Sequence, residues 1–325
     1  MKKMIALILS LVMTLSLFAG CGTAEKKDDG IFNVAIVQQL DHSSLDEIRI
    51  AIEEQLNALD SVTVEIKTYN GQNDASMLNQ IGTQIVSDGV DMIIPIATMA
   101  AQCMVTAAEG TNIPIVYAAI SDPEGAGLTG LPNVTGVSDA LNTPFILDMM
   151  LAVNPDVKTV GLLYSNSEIN SEAPIAEAKA YLDSKGIAYL EKTGNTSGEI
   201  VTAASDLVGR VDAVFTPTDN VVMATEAAVA EILIQAGIPH YAGADSFVLS
   251  GAFATCGVNY TELGTKTADI ALEILMGGEI GDFHVMEGGI ITVNAETAAG
   301  LTLDFTPFHE MANTVNIVGM ENMAR

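Results

Sequence analysis

From residue 31 onward, short runs rich in β-branched and apolar residues alternate with longer amphipathic stretches. This alternation constrains the fold strongly, because strands separated by helices pair in parallel and need helices on both faces of the sheet. The first series predicts strands near 33–38, 62–67, 91–96 and 113–118, with helices over 45–59, 75–88 and 99–109. One doubly wound α/β lobe is therefore expected.

A second series follows a passage over 121–142 that is predicted to be loop, because it is rich in proline, glycine and turn pairs. Its predicted strands are 159–164, 188–192, 213–216, 239–241 and 252–256, with helices over 144–153, 173–185, 198–208 and 221–236. A last helix over 260–276, a strand over 289–293 and a short helix over 295–299 exceed what this second lobe needs.

The predicted fold class is therefore α/β, with two doubly wound parallel-sheet lobes joined by a multi-strand hinge. Lobe 1 is predicted to comprise 31–140 plus about 258–286, and lobe 2 to comprise 141–257 plus about 287–325. Several crossings between two α/β bodies are typical of proteins that close around a ligand by hinge bending.

The N-terminus predicts export. Lys2 and Lys3 precede an apolar run over 4–15 that is too short for an ordinary membrane span, and the run leads to the sequence LFAGC over 17–21. This end resembles a bacterial lipobox, so residues 1–20 are predicted to be a lipoprotein signal, Cys21 the lipidated first residue, and 21–30 a flexible tether. The alternative is an ordinary secretory peptide with an incidental cysteine. The expected location is extracytoplasmic, anchored by lipid to the outer face of the bacterial cell membrane.

Charge excludes one class of partner. The net charge is −28 and the chain has three arginines, whereas nucleic-acid binding needs clustered Lys and Arg to neutralise phosphates. The same scarcity means that a ligand carboxylate must be held by backbone N–H groups and hydroxyls rather than by an arginine fork.

No motif assembles a catalytic centre. The four histidines are scattered singly, and neither a GxSxG elbow nor a glycine-rich phosphate loop occurs. Cys103 and Cys256 lie far apart in apolar surroundings without metal-ligand spacing, so they are predicted to be buried free thiols. The chain is therefore expected not to be an enzyme and to need neither cofactor nor metal.

Polar residues at the predicted carboxyl ends of strands are the candidate ligand contacts, because ligands of open parallel sheets bind there. Thr98 is predicted to be the N-cap of a helix whose free N–H groups form an anion seat, although it could be a plain cap. Asp122 is a second candidate, although it could equally serve only to form a turn. The full set of candidates is Thr98, Ser121, Asp122, Asn166, Glu168, Asp219, Asn220 and Asp245.

Several stretches together resemble the ABC transporter substrate-binding family that includes tryptophan- and tyrosine-type lipoprotein binders. They include VAIVQQLDHSSLDEIRIA (34–51), DGVDMIIPIATMAAQ (88–102), IPIVYAAISDPEGAGL (113–128), NVTGVSD (133–139), VGLLYSNSEINS (160–171), DAVFTPTDNVV (212–222) and GVNYTELG (257–264). Met99 is one departure, since a proline is expected there. The resemblance implies a type I periplasmic-binding-protein-like fold, ABC permease subunits as partners, and an amino acid-like ligand, often aromatic.

The resemblance also favours Asp219 as the partner of a ligand ammonium, provided that Thr218 or Asn220 caps the following helix. Two alternatives from other classes stay open. One is a binder of the same fold for a nucleoside or sugar, and the other is a sensor subunit that presents its ligand-bound form to a membrane receptor.

Overall fold

The computed structural model describes residues 30–58 and 62–319. The predicted signal segment, Cys21 and the tether up to residue 29 lie outside these residues. No helix in the described part of the chain is long and apolar enough to cross a membrane.

The first sheet contains six strands in the described residues, here numbered in chain order. Their spatial order is β11 (His284–Val285), β5 (Val134–Ser138), β4 (Ile115–Ala118), β3 (Met92–Ile96), β1 (Ile31–Gln38) and β2 (Thr63–Asn70). Neighbours from β11 to β1 pair in parallel. The connecting helices are α1 (Ser43–Asn57), α2 (Ala75–Asp88) and α3 (Thr98–Ala107).

The second sheet contains seven strands in the described residues. Their spatial order is β13 (Thr314–Val318), β12 (Ile290–Asn294), β10 (Ala254–Gly257), β9 (His240–Ala242), β8 (Ala213–Thr216), β6 (Thr159–Tyr164) and β7 (Ala188–Thr193). All pairs are parallel except β10 with β12. Its helices are α4 (Thr143–Val153), α5 (Glu172–Lys185), α6 (Ser197–Ser205), α7 (Asn220–Met223), α8 (Glu226–Gln235), α9 (Asp245–Leu249), α11 (Ala295–Leu301) and α12 (Phe308–Met311).

The chain crosses between the sheets at three places in the described residues. It leaves β5 of the first sheet for α4, and it leaves β10 of the second sheet for α10 (Tyr260–Leu275), which packs on α1, β4 and β5. It then passes from β11 in the first sheet to β12 in the second. Three neighbouring crossings allow the two lobes to rotate about one short region.

The sequence pattern accounts for the central elements. All five residues of β3 are buried, as expected for a parallel strand covered by helices on both faces. Helix α2 begins after Asp74, whose side chain accepts the N–H of Met77, and it ends at Gly89 with φ +69°. Cys103 and Cys256 are buried and free, which confirms that prediction.

Two differences from the sequence predictions bear on the site. The passage over 121–142, predicted to be loop, contains β5, a buried five-residue strand. The helix predicted over 221–236 is two helices, since α7 ends at Met223 and α8 begins at Glu226 after Thr225. The N–H of Thr225 bonds the carbonyl of Val222 in this break, so the chain turns rather than continuing one helix.

Candidate functional site

The carboxyl ends of the strands of the two sheets face each other and bond directly across a cleft. Among the described residues, four side-chain hydrogen bonds join the lobes, namely Gln39–Glu168 (2.9 Å), His42–Asn220 (3.0 Å), Ser44–Ser246 (2.6 Å) and Ser121–Thr218 (2.9 Å). A small cavity of about 30 Å³ lies among these contacts. An amino acid-sized ligand therefore needs the two sides to separate before it can enter.

Several of the cross-cleft bonds form one continuous chain. The N–H of Met99 donates to Oε1 of Gln39 (3.1 Å), and Nε2 of Gln39 donates to Oε1 of Glu168. Nδ2 of Asn220 donates to Oε2 of Glu168 (2.6 Å), and Oδ1 of Asn220 pairs with Nε2 of His42. This chain, here called the cleft belt, crosses from lobe 1 to lobe 2 and back.

The backbone at two strand ends of lobe 1 is strained. Ala97, after β3, has φ +75° and ψ 161°, and Ala119, after β4, has φ +56°. Both conformations are rare for residues with a Cβ, and both alanines line the cavity. Such strain clusters at ligand sites, where the surrounding fold holds the backbone in place.

Helix α3 begins directly at the cavity. Ala97 is its N-cap and has no side chain that could accept a cap hydrogen bond, so the prediction that Thr98 is the cap is wrong. Thr98 is the first residue of the helix, and it is buried and lines the cavity. The N–H of Met99 bonds Gln39, whereas no described hydrogen bond uses the N–H groups of Thr98 and Ala100. A ten-residue helix with two such donors favours an anion at this end.

Three carboxyl groups are buried at the cleft. Asp139, Glu168 and Asp219 are 5%, 3% and 0% exposed, and none pairs with a lysine or arginine in the described residues. Burial raises the pKa of each, and burial together with the charge of Asp219 raises the pKa of Glu168 to about 7. Uncompensated buried carboxylates are costly, so this region favours a cation.

The carboxylate of Asp219 accepts hydrogen bonds from other groups of the protein. Its Oδ1 accepts the N–H groups of Val221 and Val222, and its Oδ2 accepts from Ser165 N–H (2.7 Å) and the Ser171 hydroxyl (2.7 Å). Asp219 is therefore the N-cap of α7. The condition under which it was expected to be free for an ammonium, a cap at Thr218 or Asn220, is not met.

The structure separates the other predicted residues into two groups. Ser121 and Asn220 line the cavity with Thr98 and Asp219, and Glu168 lies behind Asn220 in the cleft belt. Three residues lie apart from it. Asp122 accepts the N–H of Gly125 in a turn, Asn166 is exposed and bonds Thr193, and Asp245 lies in a different recess with Glu47.

Sequence reasoning missed several residues of the cleft, among them Gln39, His42, Asp139 and Tyr260. Asp139 follows β5, accepts the hydroxyls of Ser121 (3.0 Å) and Tyr260 (3.1 Å), and lines the cavity with Tyr260 and His42. The strand-end rule finds Asp139 once β5 is assigned. A larger cavity of about 660 Å³ lies on the hinge side and is lined by the crossing segments. Of the three buried carboxyl groups, Asp139 lines this cavity, whereas Glu168 and Asp219 do not.

Two lobes that contribute opposite walls of one cavity, lined by both polar and apolar side chains, define a ligand-binding protein of the hinge-closing class. Comparison with known proteins agrees, because residues 33–306 match the model for ABC transporter substrate binding proteins. The chain is also 32% identical to a tyrosine-binding protein from Clostridioides difficile (strain R20291), over 93% of each chain. The chain belongs to the ABC transporter substrate binding protein family.

Solved structures extend the comparison. An ABC domain from Streptococcus pneumonia in complex with L-Trp is 29% identical, with a TM-score of 0.81 over 87% of this chain and 99% of that one. A ligand-free, open structure of a substrate binding protein with adhesive properties from Clostridium difficile is 30% identical, with a TM-score of 0.67 over 89% and 100%. The predicted family and fold of two type I periplasmic-binding-protein-like lobes are confirmed.

Proposed function

We propose that this protein is an extracytoplasmic lipoprotein that captures an aromatic amino acid between its lobes and presents it to an ABC importer. The observation that carries the proposal is the charge arrangement of the cleft. Buried carboxyls without a cationic partner, Asp139 and Glu168, lie at the same cleft as the uncapped N-terminus of α3. A zwitterionic amino acid satisfies both ends.

The residues divide the ligand's head between them. The N–H groups of Thr98 and Ala100 receive the ligand carboxylate. Asp139 and, from behind Asn220, Glu168 attract the ammonium, and Asn220 positions Glu168 through its 2.6 Å hydrogen bond. Asp219 acts indirectly, since its cap fixes the start of α7, on which Asn220 is the first residue.

The apolar side chains of the cleft suit a ring that enters when the lobes separate. Leu45, Met223 and Phe247 line the cavity, with Tyr260 beside them. The chain has no tryptophan, so an aromatic ligand packs against these residues. The names of the relatives, a tyrosine-binding protein and a complex with L-Trp, support the same class of ligand.

Capture depends on closure. The higher TM-score with the L-Trp complex (0.81) than with the ligand-free, open structure (0.67) supports a closed arrangement of the lobes described here. A ligand shifts the open and closed populations by its differential affinity for the closed form. A ligand whose charged amino and carboxylate groups are bound by both lobes has this higher affinity for the closed form.

Calorimetry with a ligand panel tests the ligand class. L-Tyrosine, L-tryptophan and L-phenylalanine are compared with L-alanine, adenosine and ribose. The expected result is binding of an aromatic amino acid at least 100-fold tighter than L-alanine, because the ring buries apolar area that a methyl group lacks. Binding of adenosine or ribose without any amino acid binding would overturn the proposal.

Metabolic labelling tests the anchor separately. A fatty-acid probe is expected to label the wild-type chain through Cys21 and to leave Cys21→Ser unlabelled, while both proteins bind the same ligand. Equal labelling of Cys21→Ser would rule out a lipid at this position.

A further inference from the structure

One buried polar atom of a cavity-lining residue has no hydrogen-bond partner in the described part of the chain. The Nδ1 atom of His42 is buried and makes no hydrogen bond, although the ring lines the cavity and its Nε2 atom bonds Asn220. A buried polar nitrogen without a partner costs about 1–3 kcal/mol, so it points to a group that supplies the missing bond.

The cleft belt fixes what kind of group this is. Nδ2 of Asn220 donates to Glu168, so its Oδ1 is the atom that faces His42. An amide oxygen accepts, and Nε2 of His42 must therefore carry the hydrogen. In the neutral ring Nδ1 then holds a lone pair, and burial lowers the pKa of His42, which favours that neutral form. The orphan atom is an acceptor that needs one donor.

The cavity lining that contains His42 also contains apolar side chains. Leu45, on the same helix, lines the cavity with Met223 and Phe247 of the opposite lobe. Buried carboxylates are better partners for an ammonium than a neutral imidazole, and Asp139 and Glu168 supply them. A single acceptor beside apolar side chains suits a ring that carries one donor.

Resting on the function proposed above, we propose that Nδ1 of His42 accepts a hydrogen bond from the ring donor of the ligand, a phenol O–H or an indole N–H. His42 thereby selects tyrosine or tryptophan over phenylalanine. A site built around such a bond rejects analogues that lack the donor, because its own polar atom is left unpaired. The expected preference is about 10- to 100-fold.

Matched ligands and variants test this selection. The Kd values of L-tyrosine, O-methyl-L-tyrosine, L-tryptophan, 1-methyl-L-tryptophan and L-phenylalanine are measured for the wild type, His42→Gln and His42→Leu. Glutamine places an amide nitrogen near the Nε2 position, which keeps the bond to Asn220 and removes the Nδ1 acceptor. Ser44→Ala is the control, because it removes a different cross-cleft bond from the same helix.

The proposal predicts that the wild type prefers the donor-bearing ligand over its methylated analogue and phenylalanine by about 10-fold or more. His42→Gln and His42→Leu bring that ratio close to one, whereas Ser44→Ala weakens all ligands together and keeps the ratio. A preserved ratio in folded His42→Gln, equal weakening of every ligand by it, or a wild-type ratio near one would each overturn the proposal. The absence of binding to any amino acid would instead contradict the function on which it rests.

A measurement on the wild type guards against variants that fail to fold. In protein labelled with ¹⁵N-histidine, the Nδ1 signal of His42 is expected to shift towards the hydrogen-bonded range with tyrosine or tryptophan. Saturating phenylalanine is expected to leave that signal in place. An identical shift with all three ligands would overturn the assignment of the ring donor.

Discussion

Nε2 of Gln39 donates a hydrogen bond to Oε1 of Glu168 at 2.9 Å. The two residues are 129 positions apart in sequence and belong to different lobes. The same Gln39 amide accepts the N–H of Met99 at the start of α3. Gln39 therefore couples the proposed seat of the ligand carboxylate to a proposed seat of its ammonium. Placement of one half of the site depends on the other.

Replacement of Gln39 tests this coupling. Gln39→Leu leaves the Met99 N–H and a Glu168 oxygen without partners, at a cost of about 1–3 kcal/mol for each. Ligand affinity is expected to fall at least 10-fold by calorimetry, since the closed form loses its cross-cleft bond. Gln102→Leu is the matched control, because Gln102 bonds Ala126 within lobe 1. A Gln39→Leu protein with wild-type affinity would contradict the coupling.

Glu168 predicts a pH dependence of stability. Its folded pKa is raised to about 7, mainly by burial, from an ordinary value of 4.5. The folded protein therefore holds this proton more tightly than the unfolded chain, and the stability from Glu168 is present below pH 4.5 and lost as pH rises through 7. Relative to Glu168→Gln, the ligand-free wild type is expected to lose up to about 3 kcal/mol of unfolding free energy between pH 4 and pH 8.

Urea unfolding of both proteins across this range measures the difference. Glu191→Gln is a suitable control. Burial alone would raise the pKa of Glu191, but Lys179 and Tyr164 together outweigh burial and lower it, so the effect of this carboxyl falls below pH 4.5. A constant difference between wild type and Glu168→Gln from pH 4 to pH 8 would show that Glu168 does not titrate there.

Two aspartates are expected to respond differently to the same substitution. In Asp219→Asn, one of the two carboxylate oxygens becomes an NH₂ group, which cannot accept the hydrogen bonds that Asp219 receives from four donors. The main expected effect is therefore a loss of about 1–3 kcal/mol in unfolding free energy. Asp139→Asn removes a proposed ammonium partner and is expected to lower affinity about 10- to 150-fold. Calorimetry and urea unfolding on each variant separate the roles. Unchanged affinity in Asp139→Asn would remove it from the ammonium seat.

Strain at Ala97 has a measurable consequence. Glycine adopts φ +75°, ψ 161° without a steric penalty, so the substitution relieves about 1–3 kcal/mol of backbone strain in the folded state. This gain outweighs the extra conformational entropy that glycine gives to the unfolded chain. Ala97→Gly is therefore expected to raise the unfolding free energy by about 1 kcal/mol. Ala100→Gly, in the buried first turn of α3, is expected to lower it. Destabilisation by Ala97→Gly would mean that the strain at this position is small.

The sequence revealed the architecture because its strands are apolar, short and regularly separated by helices. It failed at β5, where the turn signals LPN and NTP enclose a strand of five residues, and Asp139 was missed with that strand. The strand-end rule placed Thr98, Ser121 and Asn220 at the cavity. Gln39 looks like a surface residue in sequence, because nothing near it in the chain indicates that it bonds Glu168 of the other lobe. Hydrogen bonds between residues of different lobes leave no pattern in the local amino-acid sequence.

Small-angle X-ray scattering tests the central claim, that a zwitterionic head bridges the lobes. The radius of gyration is measured without ligand and with saturating L-tyrosine, L-tyrosine methyl ester or N-acetyl-L-tyrosine. L-Tyrosine alone is expected to reduce the radius, because each blocked form leaves one half of the site with an unpaired buried group. Equal compaction by all three compounds would contradict the claim, since the charged head would then not be what closes the cleft.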